Sequence, residues 1–266
     1  MEKRKEKHIL ALSGGKDSAA LAVFMREKYP KIPLEYIFID SGCELPETYE
    51  YLDRIQAILN IKITKIKPKK NFDYWLKYFG GVLPSPNNRW CTRLLKLLPY
   101  NSWLKVNYSN TLIKSYIGIR VDEERKGYIS KDDNLVPVYP FIEDSLSLDD
   151  IFYILKNVGL GLPSYYSWRQ RSGCYFCFFQ RDSEWRGLRI KHPDLFKKAC
   201  HYEEEHSDGR IFTWRKSGFL RDIVKKVNKR QLKINIKTQP CLIDSLSNIY
   251  QKMPKISSLD REENHE

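Results

Sequence analysis

Ser13-Gly14-Gly15-Lys16-Asp17-Ser18 gathers two glycines, two hydroxyls, a lysine and a carboxylate in one short stretch, a set suited to holding an oxyanion. Adjacent glycines let the backbone take φ > 0 and approach a ligand with no side chain in between. Lys16 adds a mobile positive charge, Ser13 and Ser18 add hydroxyl donors, and Asp17 can hold a metal counter-ion or cap a helix. A second reactive set is made of thiols: Cys91, Cys174, Cys177 and Cys200. Cys91 falls at the expected start of a short helix with Arg93 and Lys96 close by, and helix starts and cations both favour thiolate. Gly173-Cys174-Tyr175-Phe176-Cys177-Phe178-Phe179 can be a redox dithiol, a zinc knuckle or two cluster ligands. The redox reading ranks last, because a thioredoxin-type pair starts a helix directly after a strand of a different fold. Cys43 and Cys241 stand apart from any paired spacing.

The elements that must position these groups follow from apolar periodicity. Ile9 to Leu12 reads as a strand, and Ser18 opens a segment with Leu21, Phe24 and Met25 at helical spacing. Strand, glycine turn and helix start together form an anion cradle, since the first helical N–H groups and the dipole point at one spot. Leu34 to Asp40 is a second strand ending in an acid, followed by a helix with Tyr51, Leu52, Ile55 and Leu59. A right-handed crossover puts the glycine turn and the Asp40–Glu44 turn at the carboxyl edge of one parallel sheet, where Asp40 can accept from ribose or adenine. Ile61 to Ile66 alternates like a third strand, and the crowd of Lys62, Lys65, Lys67, Lys69 and Lys70 reads as an edge strand guarded by charge. Asn71 to Tyr78 is helical, Gly80-Gly81 opens a loop, and Leu112 to Arg120 is another strand. Ser147 and Asp150 make a near capping box before Ile151, Ile154 and Leu155.

The spacing of the glycine loop excludes the Walker A pattern, which needs four residues before Gly-Lys-Ser/Thr. The hexapeptide instead resembles the PP-loop of the N-type ATP pyrophosphatases. Asp40 to Thr48 is similar to the Asp-Ser/Thr-Gly and Pro-Glu-Thr stretch of the phosphoadenylyl-sulfate (PAPS) reductases in that superfamily. Arg89 to Pro99 resembles the Cys-Cys-x-x-x-Lys-x-x-Pro segment of sulfonucleotide reductases, with Trp90 in place of the first cysteine. Gly118-Ile119-Arg120 through Arg125 resembles the Gly-x-Arg-x-x-Glu-Ser-x-x-Arg stretch. From residue 8 to about residue 215 the chain is thus similar to PAPS reductase-like proteins, nearest to those of DNA phosphorothioation systems and those encoded beside some CRISPR loci.

The resemblance implies an α/β fold: a Rossmann-like parallel sheet with helices on both faces, adenine nucleotide alpha hydrolase-like, plus a helical cysteine-bearing C-terminal arm. It implies a nucleotide domain over 1–170, a basic arm over 171–253 packed on it, and a disordered tail over 254–266. Lys16, Asp17 and Arg120 are the implied catalytic residues. Ser13, Gly14, Gly15, Lys16, Asp17, Ser18, Asp40, Ser41, Gly42, Gly118, Arg120 and Arg125 are the implied nucleotide contacts. The implied cofactors are ATP with Mg²⁺ and an iron–sulfur cluster on Cys91, Cys174, Cys177 and Cys200, with structural zinc or no metal as alternatives. The implied activity is adenylation by an ATP pyrophosphatase in sulfur transfer or nucleic-acid modification. A sulfonucleotide reductase acting on PAPS or adenylyl sulfate, or a non-catalytic nucleic-acid-binding accessory, are the other readings. The C-terminal Glu-Cys-Gly-Leu-His element of assimilatory PAPS reductases is not found, and Gln239-Pro240-Cys241-Leu242 does not replace it.

Composition bounds the partners. The formal charge of +13 over 266 residues favours a polyanion, whether nucleotide, nucleic acid or an acidic sulfur-carrier protein, against a merely solvated basic surface. The basic run from Asp208 to Lys237, with Phe212, Trp214 and Phe219 interleaved, suits phosphates and stacked bases, or else a helix with a solvated lysine face. The charged opening from Met1 to His8 fits neither a secretory segment nor a membrane span, so a cytoplasmic protein is expected, with a homodimer as an open assembly.

Overall fold

The computed structural model describes residues 5–223 apart from 126, 128, 129, 131 and 206–208. The basic run beyond residue 223, Cys241 and the expected tail over 254–266 lie outside the described residues.

Five strands form one sheet: β1 (Glu6–Leu12), β2 (Leu34–Ile39), β3 (Ile63–Ile66), β4 (Leu112–Tyr116) and β5 (Leu135–Val138). The order is β3-β2-β1-β4-β5 and every pairing is parallel. Alternation along each strand sends side chains to opposite faces. Leu10, Leu12, Tyr36, Phe38 and Tyr116 join one buried cluster with α1 (Lys16–Lys28), α2 (Pro46–Leu59) and α7 (Leu148–Asn157). Ile9, Ile37 and Ile113 face the other way, onto Tyr100 and Leu104 of α5 (Leu98–Asn107). Both faces are therefore covered, as a parallel sheet requires. The α/β expectation holds.

Local chemistry sets the element ends. α1 begins at Lys16 with Gly15 as its N-cap, so Asp17 sits within the first turn and does not cap the helix. Its buried Ala19, Ala20 and Ala22 let it approach the sheet closely. α2 starts on Pro46 and ends at Asn60, whose φ of 45° is left-handed. The Ser147 N–H donates to Asp150 at 2.7 Å and starts α7. β3 is an edge strand with its lysines exposed, as the lysine pattern suggested. β5 is the opposite edge, and its Pro137 is tolerated there because an edge strand has one unpaired side.

After α3 (Phe72–Tyr78), the chain segment of Cys91 is one continuous helix of mixed pitch. α4 (Trp90–Thr92) widens to π-helix over Arg93–Leu97 before α5. The Leu98 N–H reaches back to the Arg93 carbonyl just before Pro99, which has no N–H to give. Beyond the short α6 (Pro140–Glu143) and α7, helices α8 (Asp182–Lys191) and α9 (Pro193–His201) complete the described part of the arm.

That arm has no core of its own. Phe72 and Trp90 from the nucleotide-domain side share a buried cluster with Phe176, Trp185, Tyr202 and Trp214. Phe176 and Trp214 stack at 5.3 Å with 15° between planes, and the Trp214 Nε1–H donates to the Ala199 carbonyl at 2.8 Å. Trp214 is consequently a core side chain, not the base-stacking surface residue that its place in a basic run suggested. Burial outweighs the neighbouring charges.

His8 offers a test of the sheet's lower end. Its ring lies 2.8 Å from the Tyr116 hydroxyl and 3.1 Å from Glu6. Burial holds its pKa below the ordinary imidazole value, helped by Lys114 and Lys7 and opposed by Glu6. The fold thus favours the neutral ring, and the unfolded chain takes a proton first as pH falls. Stability should drop as pH falls below about 6.5. His8→Asn should flatten that part of a melting-temperature profile against pH; an unchanged profile would show that His8 does not cause it.

Candidate nucleotide site

The loop between β1 and α1 lies at the carboxyl end of the sheet's central strand, beside the point where the chain order reverses between β1 and β4. Gly14 takes φ +70°, and a Cβ there would stand 2.4 Å from Thr48 Cγ2. A Cβ on Gly15 would stand 2.6 Å from the Ser172 hydroxyl. Gly14 is therefore required by conformation and by the closeness of Thr48, whereas Gly15 has an ordinary extended φ of -105° and is held small by Ser172 alone. The Ser13 N–H donates to the Ser18 hydroxyl at 3.0 Å, and that hydroxyl donates to the Gly15 carbonyl at 3.1 Å, which closes the loop on itself.

Charge converges on this loop. Lys16 Nζ lies 2.8 Å from Asp17 Oδ2 and 5.8 Å from the centre of the Tyr166 ring. The other Asp17 oxygen accepts from Arg120 Nη1, and Arg120 also reaches Asp122 at 2.8 Å and Glu123 at 3.1 Å. Arg120 arrives from the loop after β4 through Gly118, where a Cβ would be 3.0 Å from the Asp17 carbonyl. Lys16, Asp17, Gly118 and Arg120 are thus brought together, as the sequence implied. Asp17 presents a single carboxylate, already engaged by two cations. Mg²⁺ held there would take its remaining ligands from nucleotide phosphates and water.

The remaining implied contacts are placed differently. Asp40 Oδ1 accepts from the Gly42 N–H at 3.0 Å and from the Tyr49 hydroxyl at 2.7 Å, and its other oxygen is 4.0 Å from Lys67. Ser41 turns inward and donates to Glu44 at 3.0 Å, while Gly42 is exposed with φ +73°. Arg125 is exposed and pairs with Glu123 at 3.0 Å, the same carboxylate that Arg120 reaches. Sequence reasoning missed Tyr165 and Ser172 as parts of the loop's surroundings. The Tyr165 hydroxyl donates to the Gly14 carbonyl at 2.7 Å, and Ser172 Oγ is 3.4 Å from Ser13 Oγ. Their only signal was the Tyr-Tyr pair and the Arg-Ser-Gly ahead of the Cys-x-x-Cys.

Residues 7–145, more than half of the chain, match the phosphoadenosine phosphosulfate reductase domain. The chain belongs to that family. An uncharacterized protein of Methanocaldococcus jannaschii is 28% identical over 234 residues, covering 83% of this chain and 46% of that protein. An uncharacterized nin region protein of Escherichia phage lambda is 26% identical over 144 residues, covering 45% of this chain and 50% of that protein. The chain spans about half the length of the curated relatives it matches. Among solved structures, the phosphoadenylyl-sulfate reductase of Candida auris in its phosphate complex superposes with a TM-score of 0.51 at 16% identity, covering 64% of this chain and 82% of that chain. That likeness is one of fold. Family membership supports a sulfonucleotide-related, adenine-nucleotide-binding function.

The thiols of this family member do not assemble as a set of four. Among the described residues, no group of three or more His, Cys, Asp or Glu side chains is arranged to hold a metal ion. Cys177 acts electrostatically on Cys91 and on Cys174, whereas Cys200 answers to Glu203, Arg221 and Arg189. Burial raises the Cys91 and Cys174 thiols and pushes Cys200 up to about 11. The thiolate expected at Cys91 from its helix start is overruled, because loss of water outweighs the hydrogen bonds from Thr92 and the charge of Lys96. An iron–sulfur cluster or zinc on all four cysteines does not fit this arrangement. No helix among the described residues is long and apolar enough to cross a membrane.

Proposed function

We propose that the chain is an adenylating ATP pyrophosphatase whose site is the Ser13–Ser18 loop. The observation that carries this reading is the cradle itself: Gly14 at φ +70° and Gly15 packed close to Thr48 and Ser172, with Lys16 and Arg120 held on the two oxygens of Asp17 beside them. In the reaction an acceptor oxygen forms a bond to the α-phosphorus of ATP. The bond from that phosphorus to the β-phosphate oxygen breaks, and pyrophosphate leaves with the electron pair. Lys16 and Arg120 neutralise the charge that builds on the departing oxygens, and the half-buried, carboxylate-fixed guanidinium needs no reorganisation to do so. Mg²⁺ held at Asp17 with the nucleotide would supply further charge neutralisation.

The acceptor would be a nucleic acid or a sulfur-carrier protein, in keeping with the net charge of +13 and with sulfur chemistry in the family. DNA phosphorothioation or a CRISPR-linked role would be specific cases. The family match favours one second reading, reduction of PAPS or adenylyl sulfate, with the thiol donor still to be found. Pyrophosphate release from ATP and Mg²⁺ against sulfite release from PAPS with thioredoxin separates the two. Pyrophosphate without sulfite supports adenylation, and sulfite without pyrophosphate replaces it with the reductase.

A further inference from the structure

Arg169 is 1% exposed, yet its charge has no counter-ion among the described residues. Nη2 donates to the Cys174 carbonyl at 2.9 Å, and Nε and Nη1 are buried without a hydrogen-bond partner among the described residues. A guanidinium keeps its proton in a protein, and a buried charge left unpaired costs several kcal/mol. Such a group needs an anion.

Its position says which one. The Arg169 N–H donates to the Tyr165 carbonyl at 2.9 Å, and the Tyr165 hydroxyl holds the Gly14 carbonyl. Tyr166, the next residue, lies beneath Lys16 Nζ. Arg169 acts electrostatically on both tyrosines. On its other side, Gly173 at φ +143° places a would-be Cβ 3.5 Å from Arg169 Nη2, and Ser172 abuts Gly15 and Ser13. The segment from Tyr165 to Gly173 therefore lies against the phosphate loop, with Arg169 as its buried cation. It falls outside the family-matched residues 7–145.

We infer that Arg169 is an anion-binding residue of the nucleotide site, donating from Nε and Nη1 to the phosphoryl or sulfuryl oxygens carried by the α-phosphate. The inference rests on the nucleotide reading above. It makes the site a two-sided one, with Lys16 and Arg120 on the sheet side and Arg169 on the side of the cysteine arm. The shared chemistry is that of an oxyanion, from pyrophosphate or from sulfate.

The test is calorimetric titration of the full chain with ATP, pyrophosphate, sulfate and adenosine, for the wild type and Arg169→Gln. Loss of one charge-assisted contact should weaken ATP and pyrophosphate roughly tenfold to a hundredfold and leave adenosine unchanged. A matching loss for sulfate but not for pyrophosphate would assign Arg169 to the sulfuryl end. Unchanged affinity for every anion overturns the inference, as does an equal loss for adenosine, which would mark a purely structural arginine. If Arg169→Gln does not fold, Arg169→Lys decides in its place. It keeps the charge but cannot serve Cys174 and a ligand with the same geometry, so anion affinity should fall while adenosine affinity holds. A wild-type chain that binds none of the four ligands would instead sink the nucleotide reading itself.

Discussion

Lys16→Ala should lower pyrophosphate release from ATP by about a hundredfold to a thousandfold, with little change in melting temperature. The lysine is 12% exposed in its side chain and held by the Asp17 carboxylate on one side and the Tyr166 ring on the other. It is preorganised charge, and such charge acts most strongly in the transition state, where the leaving oxygens gain negative character. Its removal leaves Asp17 paired with Arg120, so no carboxylate is orphaned and the loop keeps its own hydrogen bonds through Ser13, Ser18 and Gly15. The fold has little reason to respond. Arg120→Ala makes an instructive contrast, because it strips a common partner from Asp17, Asp122 and Glu123 at once and should cost stability as well as rate. Steady-state pyrophosphate release and thermal melting on the same preparations would separate the two. A Lys16→Ala enzyme within about threefold of wild type would place the chemistry elsewhere.

Why the loop was readable and its surroundings were not is a matter of range. The conformation of Ser13–Ser18 is set by its own glycines and by the strand and helix that flank it, so sequence alone located the cradle. Arg120 was implied by the resemblance of its stretch to the family's Gly-x-Arg segment, and lying just past a strand of a parallel sheet it arrives at the carboxyl edge. Tyr165, Arg169 and Ser172 reach the same spot from more than 140 residues away along the chain, as the Tyr165–Gly14 hydrogen bond shows. No local pattern encodes that. Strand β5 was hidden by Pro137, which marks a sheet edge only once the other strands are in place. At Cys91 and Trp214 the local rules pointed the wrong way, toward a thiolate and a stacking surface, because each rule assumes water nearby. The aromatic cluster shared by the two parts of the chain removes that water.

The same dehydration makes Lys96 the most consequential stability test. Glu44 lies just past the Asp40–Gly42 turn, and its side chain is 1% exposed. Lys96 Nζ reaches its Oε1 at 3.1 Å and the Ser41 hydroxyl donates to the same oxygen at 3.0 Å, while Oε2 has no partner among the described residues. The carboxylate in turn raises the lysine pKa, the largest influence on it. Lys96→Met keeps most of the packing of the stem and leaves a buried carboxylate without its cation. Breaking a buried pair from one side costs about 3–5 kcal/mol, and the lower figure applies because 35% of the lysine side chain is exposed and water can follow it. Urea unfolding should show that loss at neutral pH. Adding Glu44→Gln removes the stranded charge and should restore much of the loss. A double variant as unstable as Lys96→Met alone would mean that the lysine acts through its packing and not through its charge.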